Sequence, residues 1–247
     1  MNHLILAGDP LQTINPTGFS WDAVSSMIWG VLNEASGSEQ KVSSPMLLNQ
    51  NHRTPEDVVS LGNEILKRRA YYQNEEYIEQ ISNLPEGKVS LLPIGEDNKD
   101  AISDLMYQVA DRFIIASQAD EDGLIELLAD DIFVESREGK PKFLESITGV
   151  KGHENDTVIL YRMAEDLVGN KDTRKILSEE LDRSAVDGQQ MVRLCYELNK
   201  LYIGITRSRG KLVILEKDRT VRLFWESGIF SDKGLLTRSS PTEVRDE

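Results

Sequence analysis

Short apolar runs alternate with longer amphipathic stretches along most of this chain of 247 residues. The runs at 4–7, 113–116 and 158–161 are rich in branched apolar residues and are bounded by polar or turn-forming residues. Such runs are typical of strands that are buried on both faces of a parallel sheet. Because helical stretches separate them, we predict an α/β fold with a mostly parallel sheet flanked by helices.

The predicted elements repeat the order strand, then helix. Strands are predicted at 4–7, 46–48, 89–92, 113–116, 132–134, 143–147, 158–161 and 211–215. Helices are predicted at 21–32, 54–66, 101–110, 124–128, 173–182 and 191–202. Thr54 and Pro55 mark the start of the second helix, because a hydroxyl side chain can cap a helix and proline is tolerated in its first turn.

The balance of charge restricts the partners of the chain. It has 28 Lys and Arg against 42 Asp and Glu, a formal net charge of −14, so a broad basic surface that coats nucleic acid is excluded. Any contact with DNA has to be local. The single Cys195 excludes an internal disulfide, and no apolar run approaches the ~18 residues of a membrane span. We expect a protein of the reducing cytoplasm, or of the nucleus in a eukaryote.

The first candidate site follows the strand predicted at 4–7. Asp9 and Gln12 come directly after that strand, and open α/β sheets bind ligands at the carboxyl ends of their strands. Asp9 could address a bound metal through water, and Gln12 could position a water or sense a terminal phosphate. The alternative is an ordinary capped turn.

Two further segments carry candidate phosphate ligands. Arg53 precedes a predicted helix, where its guanidinium could reach a phosphate at the rim of the sheet. In the stretch Gly149-Val150-Lys151-Gly152-His153-Glu154, the glycines permit close backbone approach to a ligand, Lys151 could face phosphate and Glu154 could accept a hydrogen bond from a ribose hydroxyl. The alternatives are a surface salt bridge for Arg53 and a plain loop for the second segment.

A fourth segment ends the predicted helix at 191–202 and leads into the strand at 211–215. It reads Leu201-Tyr202-Ile203-Gly204-Ile205-Thr206-Arg207-Ser208-Arg209. Arg207 lies at the junction of helix and strand, where a rigidly held guanidinium is well suited to phosphate.

Taken together, in this order, the four segments resemble the later motifs of the UvrD/Rep family of superfamily 1 DNA helicases. Gly8-Asp9-x-x-Gln12 resembles motif III, Asn51-His52-Arg53 motif IV, Lys151-Gly152-His153-Glu154 motif V, and the stretch 201–209 motif VI. The run from Gln12 to Trp21 is most similar to large UvrD-like proteins that carry tetratricopeptide or ankyrin repeats elsewhere.

The resemblance implies a role for each matching residue. In the family, two RecA-like domains clamp ATP, and the second supplies arginines. Gln12 would couple the terminal phosphate to the DNA groove, Arg53 would approach that phosphate, and Arg207 would be the arginine finger. Asp9, Gly152 and Glu154 would line the nucleotide. Phe19 and Trp21 would stack on DNA bases, unless they are core aromatics, and Thr148 and Lys151 would contact nucleic acid.

Two motifs of the family are absent from this sequence. It contains no Gly-x-x-x-x-Gly-Lys-Thr phosphate loop and no acidic pair of the magnesium strand. We therefore expect residues 1–40 to end a first RecA-like domain that begins upstream, residues 41–230 to form the second, and residues 231–247 to be a flexible tail. ATP and Mg²⁺ would bind only with the upstream half, DNA would be the partner, and the chain alone would be inactive.

Departures from the family pattern leave a second function open. Ser146 and Thr148 occupy positions where motif V usually has Thr and His, and His153 replaces a leucine. The segment between Thr54 and Ser146 is also too short for the large accessory domain of processive members. The alternative is a helicase-derived nucleotide switch or protein-interaction module without unwinding activity, with its acidic surface as contact face. A free-standing binding domain would require the native protein to begin at Met1.

Overall fold

A computed structural model describes residues 21–36, 48–108, 113–118, 144–150, 152–177, 186–227 and 235–245. The chain divides into two compact units, Met1–Asn49 and Gln50–Glu247. In the first unit the described element is helix α1, Trp21–Ser36, which agrees with the helix predicted at 21–32. The elements of the second unit form the rest of the fold described below.

The second unit alternates strands with helices. Its strands are β1 Gln50–Asn51, β2 Ile81–Ser82, β3 Lys88–Ile94, β4 Phe113–Ser117, β5 Leu144–Ser146, β6 Asn155–Tyr161, β7 Ser208–Lys217 and β8 Thr237–Arg238. Its helices are α2 Glu56–Gln73, α3 Lys99–Gln108, α4 Glu165–Gly169, α5 Lys171–Leu177, α6 Gly188–Ile205, α7 Asp218–Thr220 and α8 Pro241–Arg245. A π-helical turn, Val221–Trp225, follows α7.

Six of these strands form one sheet in the order β5-β4-β6-β7-β3-β8, and every pairing between them is parallel. The central strands β6 and β7 are fully buried over Val158–Tyr161 and Leu212–Leu215. Their apolar runs leave no polar face for solvent, which is why such strands occur between two layers of other elements. The prediction of an α/β fold with a parallel sheet flanked by helices is confirmed.

Helices α2 and α6 pack on each other and on the sheet, α2 against β3 and α6 against β6 and β7. Small residues permit the close approach. A Cβ atom added to Gly204 of α6 would lie 2.7 Å from Cδ2 of Leu160 in β6. Helix α6 begins at a side-chain cap, since Oδ2 of Asp187 accepts a hydrogen bond from the Gln189 amide at 3.1 Å. This helix fixes where the chain enters β7.

The structure differs from the prediction at the start of the second helix. Helix α2 begins at Glu56 after Pro55, so Thr54 is not its cap residue. Within 231–247, which was predicted to be a flexible tail, strand β8 pairs with β3 and Val244 of α8 is buried; the flexibility of this segment stays a prediction. The predicted elements at 4–7, 124–128 and 132–134 lie outside the described residues, as do 46 and 47 of the strand predicted at 46–48.

None of the helices in the described residues is long and apolar enough to cross a membrane.

Candidate functional site

Three segments that are distant in the sequence meet at one edge of the six-stranded sheet. We call this the amino edge, because β3, β6 and β7 begin there, at Lys88, Asn155 and Ser208. Asn155 and Ser208 are register partners, and the Asn155 amide donates to the carbonyl oxygen of Arg207 at 3.2 Å. The residues before α2, before β6 and at the start of β7 are thereby brought to the same edge.

A shared carboxylate connects these three segments. Oε1 of Glu154 forms an ion pair with Nη1 of Arg53, and Oε2 accepts hydrogen bonds from Nε and Nη2 of Arg209 at 3.1 and 2.9 Å. The two arginine side chains are 41% and 53% exposed, whereas that of Glu154 is only 15% exposed. Two guanidinium groups therefore face solvent around one partly enclosed carboxylate, and such groups can also donate hydrogen bonds to phosphate oxygens.

The backbone before α2 holds Arg53 at this edge. Oδ1 of Asn51 accepts hydrogen bonds from the amides of Arg53 and Thr54, both at 2.9 Å, which closes a turn of the kind that asparagine favours. The Ser82 hydroxyl donates to the Thr54 carbonyl at 2.7 Å. Asn51, which the sequence analysis treated only as part of a motif, thus fixes the position from which Arg53 extends.

The turn before β6 depends on a glycine. Gly152 has φ +86°, in the left-handed region where side chains are strained, although a Cβ atom there would meet nothing within 4 Å. The His153 amide donates to the Val150 carbonyl at 2.9 Å and closes the turn. Gly152 is required for the path of the backbone rather than for space, and that path delivers Glu154 to the amino edge.

Close backbone packing holds the segments that carry the site residues in place. A Cβ atom on Gly87 would lie well inside van der Waals distance of the Gly210 carbonyl oxygen, and 2.8 Å from two side-chain carbons of Pro55. A Cβ atom on Gly210 would lie 3.0 Å from the Asp156 carbonyl oxygen. The starts of α2, β3, β6 and β7 are therefore packed too tightly to shift independently.

Arg207, the predicted finger, is enclosed in this structure. The residue is 3% exposed, and its Nε donates to the Ile203 carbonyl at the end of α6 at 3.2 Å. Its amide donates to Gly204 at 3.2 Å. The solvent-facing arginine of this stretch is instead Arg209, two residues further on. The role of Arg207 as a finger stays a prediction.

Arg209 is the site residue that sequence reasoning missed. Its signal was present as a second arginine in the stretch resembling motif VI, two residues before a predicted strand. The sequence does not reveal which of two arginines separated by one residue faces Glu154. That choice depends on the register of β6 against β7, which shifts between Asn155 and Thr157.

The remaining predicted residues are distributed as follows. Thr148 is exposed, and its hydroxyl shares a hydrogen bond of 2.8 Å with the Ser146 hydroxyl. Trp21 is the first residue of α1. Asp9, Gln12, Phe19 and Lys151 lie outside the described residues. The predicted nucleotide and DNA contacts of these side chains stay predictions.

Two lysines also lie at the amino edge. Lys88 and Lys211 are register partners on β3 and β7, and Nζ of Lys211 donates to the Val244 carbonyl. Burial, followed by the charge of Lys88, lowers the pKa of Lys211. Lys88 and Lys211 lie at the starts of β3 and β7, at the same edge as the start of β6 that follows Glu154. Cationic side chains that lie at one edge favour an anionic ligand there.

No protein-family model matches this chain, and no curated protein matches it. Among solved structures, the chain is similar to one described as the C-terminal domain of a possible DNA helicase from Lactobacillus plantarun WCFS1. The two share 14% sequence identity, with a TM-score of 0.40, and the match covers 76% of this chain and 98% of the other. A likeness at this distance assigns no function to the chain.

Proposed function

We propose that this chain is the second RecA-like motor domain, with the end of the first, of an ATP-dependent DNA helicase or translocase of the UvrD/Rep type. The observation that supports it best is the shared carboxylate. Arg53, Glu154 and Arg209 come from the stretches that resemble motifs IV, V and VI, and both arginines contact Glu154 at the amino edge. The two ion pairs thus bring residues of the three stretches to one place, as a shared phosphate site requires.

Each residue has a defined part in this proposal. Arg53 binds the terminal phosphate of ATP, and Glu154 accepts a hydrogen bond from the ribose once Arg53 has released it. Arg207 acts as the finger that stabilises charge on the transferring phosphate, for which its guanidinium has to leave the Ile203 carbonyl. An arginine finger contributes about 10³-fold or more in rate.

The donors at this edge fit a nucleotide phosphate but not its metal ion. Mg²⁺ is held by carboxylates, water and phosphate oxygens, and among the described residues no group of three or more His, Cys, Asp or Glu side chains could hold a metal. We assign Mg²⁺ and the phosphate loop to a preceding RecA-like domain outside these residues. Gln12 of the first unit would couple that half of the site to DNA.

The proposal is tested by ATP hydrolysis in a protein that contains this chain together with the domain carrying the phosphate loop. Arg207→Ala is expected to lower kcat about 10³-fold, and Arg53→Ala to raise KM for ATP as well as lower kcat. Gln12→Ala is expected to remove the stimulation by single-stranded DNA. Arg222→Ala is the control, because Arg222 forms a solvent-exposed ion pair with Asp218 beyond the carboxyl end of β7.

Undiminished turnover in both arginine variants would contradict the proposed roles. The 247-residue chain alone is expected to hydrolyse no ATP, because it lacks a phosphate loop.

A second candidate function is a nucleotide-dependent switch whose partner is a protein. The observation that favours it is the hydrogen bond between the Ser146 and Thr148 hydroxyls, which occupies side chains at the positions where the family contacts DNA. The net charge of −14 also opposes a large DNA interface. This candidate predicts that ATP hydrolysis by the longer protein is indifferent to DNA.

A further inference from the structure

Glu154 divides its carboxylate between two arginines in unequal ways. Arg209 donates from two nitrogens, Nε and Nη2, to Oε2. Within the part of the chain that the structure describes, Arg53 reaches the other oxygen, Oε1, through Nη1. The contact through two nitrogens belongs to the arginine that the sequence analysis did not select, whereas the arginine proposed to bind phosphate makes its shortest contact with the other oxygen.

We infer that Arg209 is a positioning residue: it anchors Glu154 so that Arg53 can exchange this carboxylate for a phosphate. The inference rests on the phosphate role of Arg53 under the proposed function. It adds Arg209 as a second residue, and it adds a state in which Arg53 is paired with Glu154. In the arrangement described here, Glu154 acts as an internal counter-ion that occupies the place of the phosphate on Arg53.

Exposure makes this exchange feasible. Arg53 is 41% exposed, so an anion from solvent can approach its guanidinium without rearrangement of the core. An ion pair at such a position is stabilised by about 0–1 kcal/mol, whereas a phosphate group brings more than one negative charge and several acceptor oxygens. The carboxylate is therefore a replaceable partner for Arg53.

The anchor decides how strongly Glu154 competes with the phosphate. While Arg209 occupies Oε2, Glu154 offers one oxygen to Arg53. Without Arg209, both oxygens would be available, and a two-pronged carboxylate pair with Arg53 would form, which is the stronger geometry. An incoming phosphate would then have to displace two contacts instead of one. Removal of Arg209 should thus weaken phosphate binding although Arg209 does not touch the phosphate.

The experiment measures the affinity of the full 247-residue chain for inorganic tripolyphosphate by titration calorimetry at low salt. Arg209→Ala is expected to weaken binding on the order of two- to fivefold, the range of one surface ion pair. Arg209→Lys should recover part of the loss, because it restores the charge but not the fork. Glu154→Gln should tighten binding by a similar factor, since the amide no longer competes for Arg53.

The decisive variant combines Arg209→Ala with Glu154→Gln. If Arg209 acts only through Glu154, the double variant binds tripolyphosphate as Glu154→Gln does. If the double variant is weaker than Glu154→Gln by the factor that separates Arg209→Ala from the wild type, then Arg209 contacts the anion itself, and the inference is overturned. An unchanged affinity in Arg209→Ala would overturn it as well.

Two control variants distinguish a failure of the positioning role of Arg209 from a failure of the proposed function. Arg222→Ala removes the same charge as Arg209→Ala from a distant exposed ion pair, so it accounts for the change in net charge alone. Arg53→Ala should abolish the measured binding. If Arg53→Ala binds tripolyphosphate normally, Arg53 is not the residue that binds phosphate, and the proposed function is contradicted. If Arg53→Ala fails to bind while Arg209→Ala is normal, only the positioning role is wrong.

Unfolding midpoints of all variants are measured alongside, because a purely structural role for Arg209 would shift the midpoint and leave the affinity of the folded protein unchanged. Absence of binding in every variant, including Glu154→Gln, would contradict an anion site at this edge and overturn the inference.

Discussion

The charged groups at the two ends of the strands in the six-stranded sheet differ in their exposure to solvent. At the amino edge, the partly solvent-exposed side chains of Arg53 and Arg209 contact the same carboxylate, that of Glu154. At the opposite end, which we call the carboxyl edge, Glu216 is fully buried near the end of β7 and accepts a hydrogen bond from the Ala164 amide at 2.7 Å. Burial raises the pKa of Glu216 to about 8, so its carboxyl group is mostly protonated at neutral pH.

A second carboxylate at the carboxyl edge is also enclosed. Nζ of Lys200 contacts Oε1 of Glu197 at 3.3 Å and Oε1 of Gln118 at 3.0 Å, and the Gln118 amide donates to the Met163 carbonyl at 2.7 Å. The side chains of Glu197 and Lys200 are 11% and 14% exposed. This cluster ties α6 to the end of β4. The arginine partners of Glu154 are thus exposed to solvent, whereas Glu216, Glu197 and Lys200 are enclosed.

The largest expected effect concerns the backbone that supports the amino edge. Gly87→Ala places a methyl group against the Gly210 carbonyl and Pro55, where backbone atoms cannot move aside. We expect a loss of about 3 kcal/mol in the free energy of unfolding, the cost of overpacking a tight site. Urea denaturation measures it. Gly188→Ala is the matched control, because a Cβ atom on Gly188 meets nothing within 4 Å; a similar loss there would contradict the steric explanation.

The sequence was sufficient to predict the fold because its signals are local. The apolar run at 158–161 and the helical spacing at 191–202 correspond to the buried end of β6 and to most of α6, Gly188–Ile205. Each signal arises from residues within one element, and the alternation of strand and helix limits the topology to a parallel sheet.

The candidate site was predictable only in part, because it depends on pairings between distant residues. Arg53 and Glu154 were selected from their motifs, and the structure brings them together. The contact between Glu154 and Arg209 joins residues 55 positions apart and follows from strand register, which the sequence does not display. The rule that open sheets bind ligands at carboxyl ends also directs attention away from the amino edge, where these three residues lie.

The second prediction concerns the pH dependence of stability at the carboxyl edge. The folded-state pKa of Glu216 lies near 8, above its ordinary value of 4.5. Its contribution to stability is therefore complete below about pH 4.5 and is lost as the pH rises through 8. Burial is the main cause and the charge of Glu165 adds to it, while the Ala164 hydrogen bond, the nearby Trp225 indole and the charge of Arg162 oppose it.

Glu216→Gln tests this dependence, because its side-chain oxygen can still accept the Ala164 hydrogen bond. We expect the wild type to lose about 2 kcal/mol more stability than the variant between pH 5.5 and 7.5, given about 1.4 kcal/mol per pKa unit. Denaturation curves at the two pH values measure the difference, in which the other titrating groups cancel. Parallel pH profiles for the two proteins would mean that Glu216 is charged in the folded state.

The third prediction breaks the enclosed ion pair. Lys200→Met keeps the length of the side chain but leaves the carboxylate of Glu197 without its ammonium partner. We expect a loss of about 1–2 kcal/mol, the cost of a lost hydrogen bond to a charged group. Adding Glu197→Gln should recover most of it, since the charge is then removed together with its partner. A double variant that is no more stable than Lys200→Met would show that the loss is one of packing.

The smallest expected effect is that of Arg209→Ala on stability. Because its ion pair with Glu154 is 53% exposed on the arginine side, we expect a change below about 0.5 kcal/mol in the free energy of unfolding. That change should vanish at 1 M salt, where charges are screened within about 3 Å, whereas the loss in Lys200→Met should persist. Denaturation at low and high salt measures both. A large, salt-independent loss in Arg209→Ala would mean that the amino edge, like the carboxyl edge, uses its charges to hold the fold together, and its arginines would not be free to exchange Glu154 for phosphate.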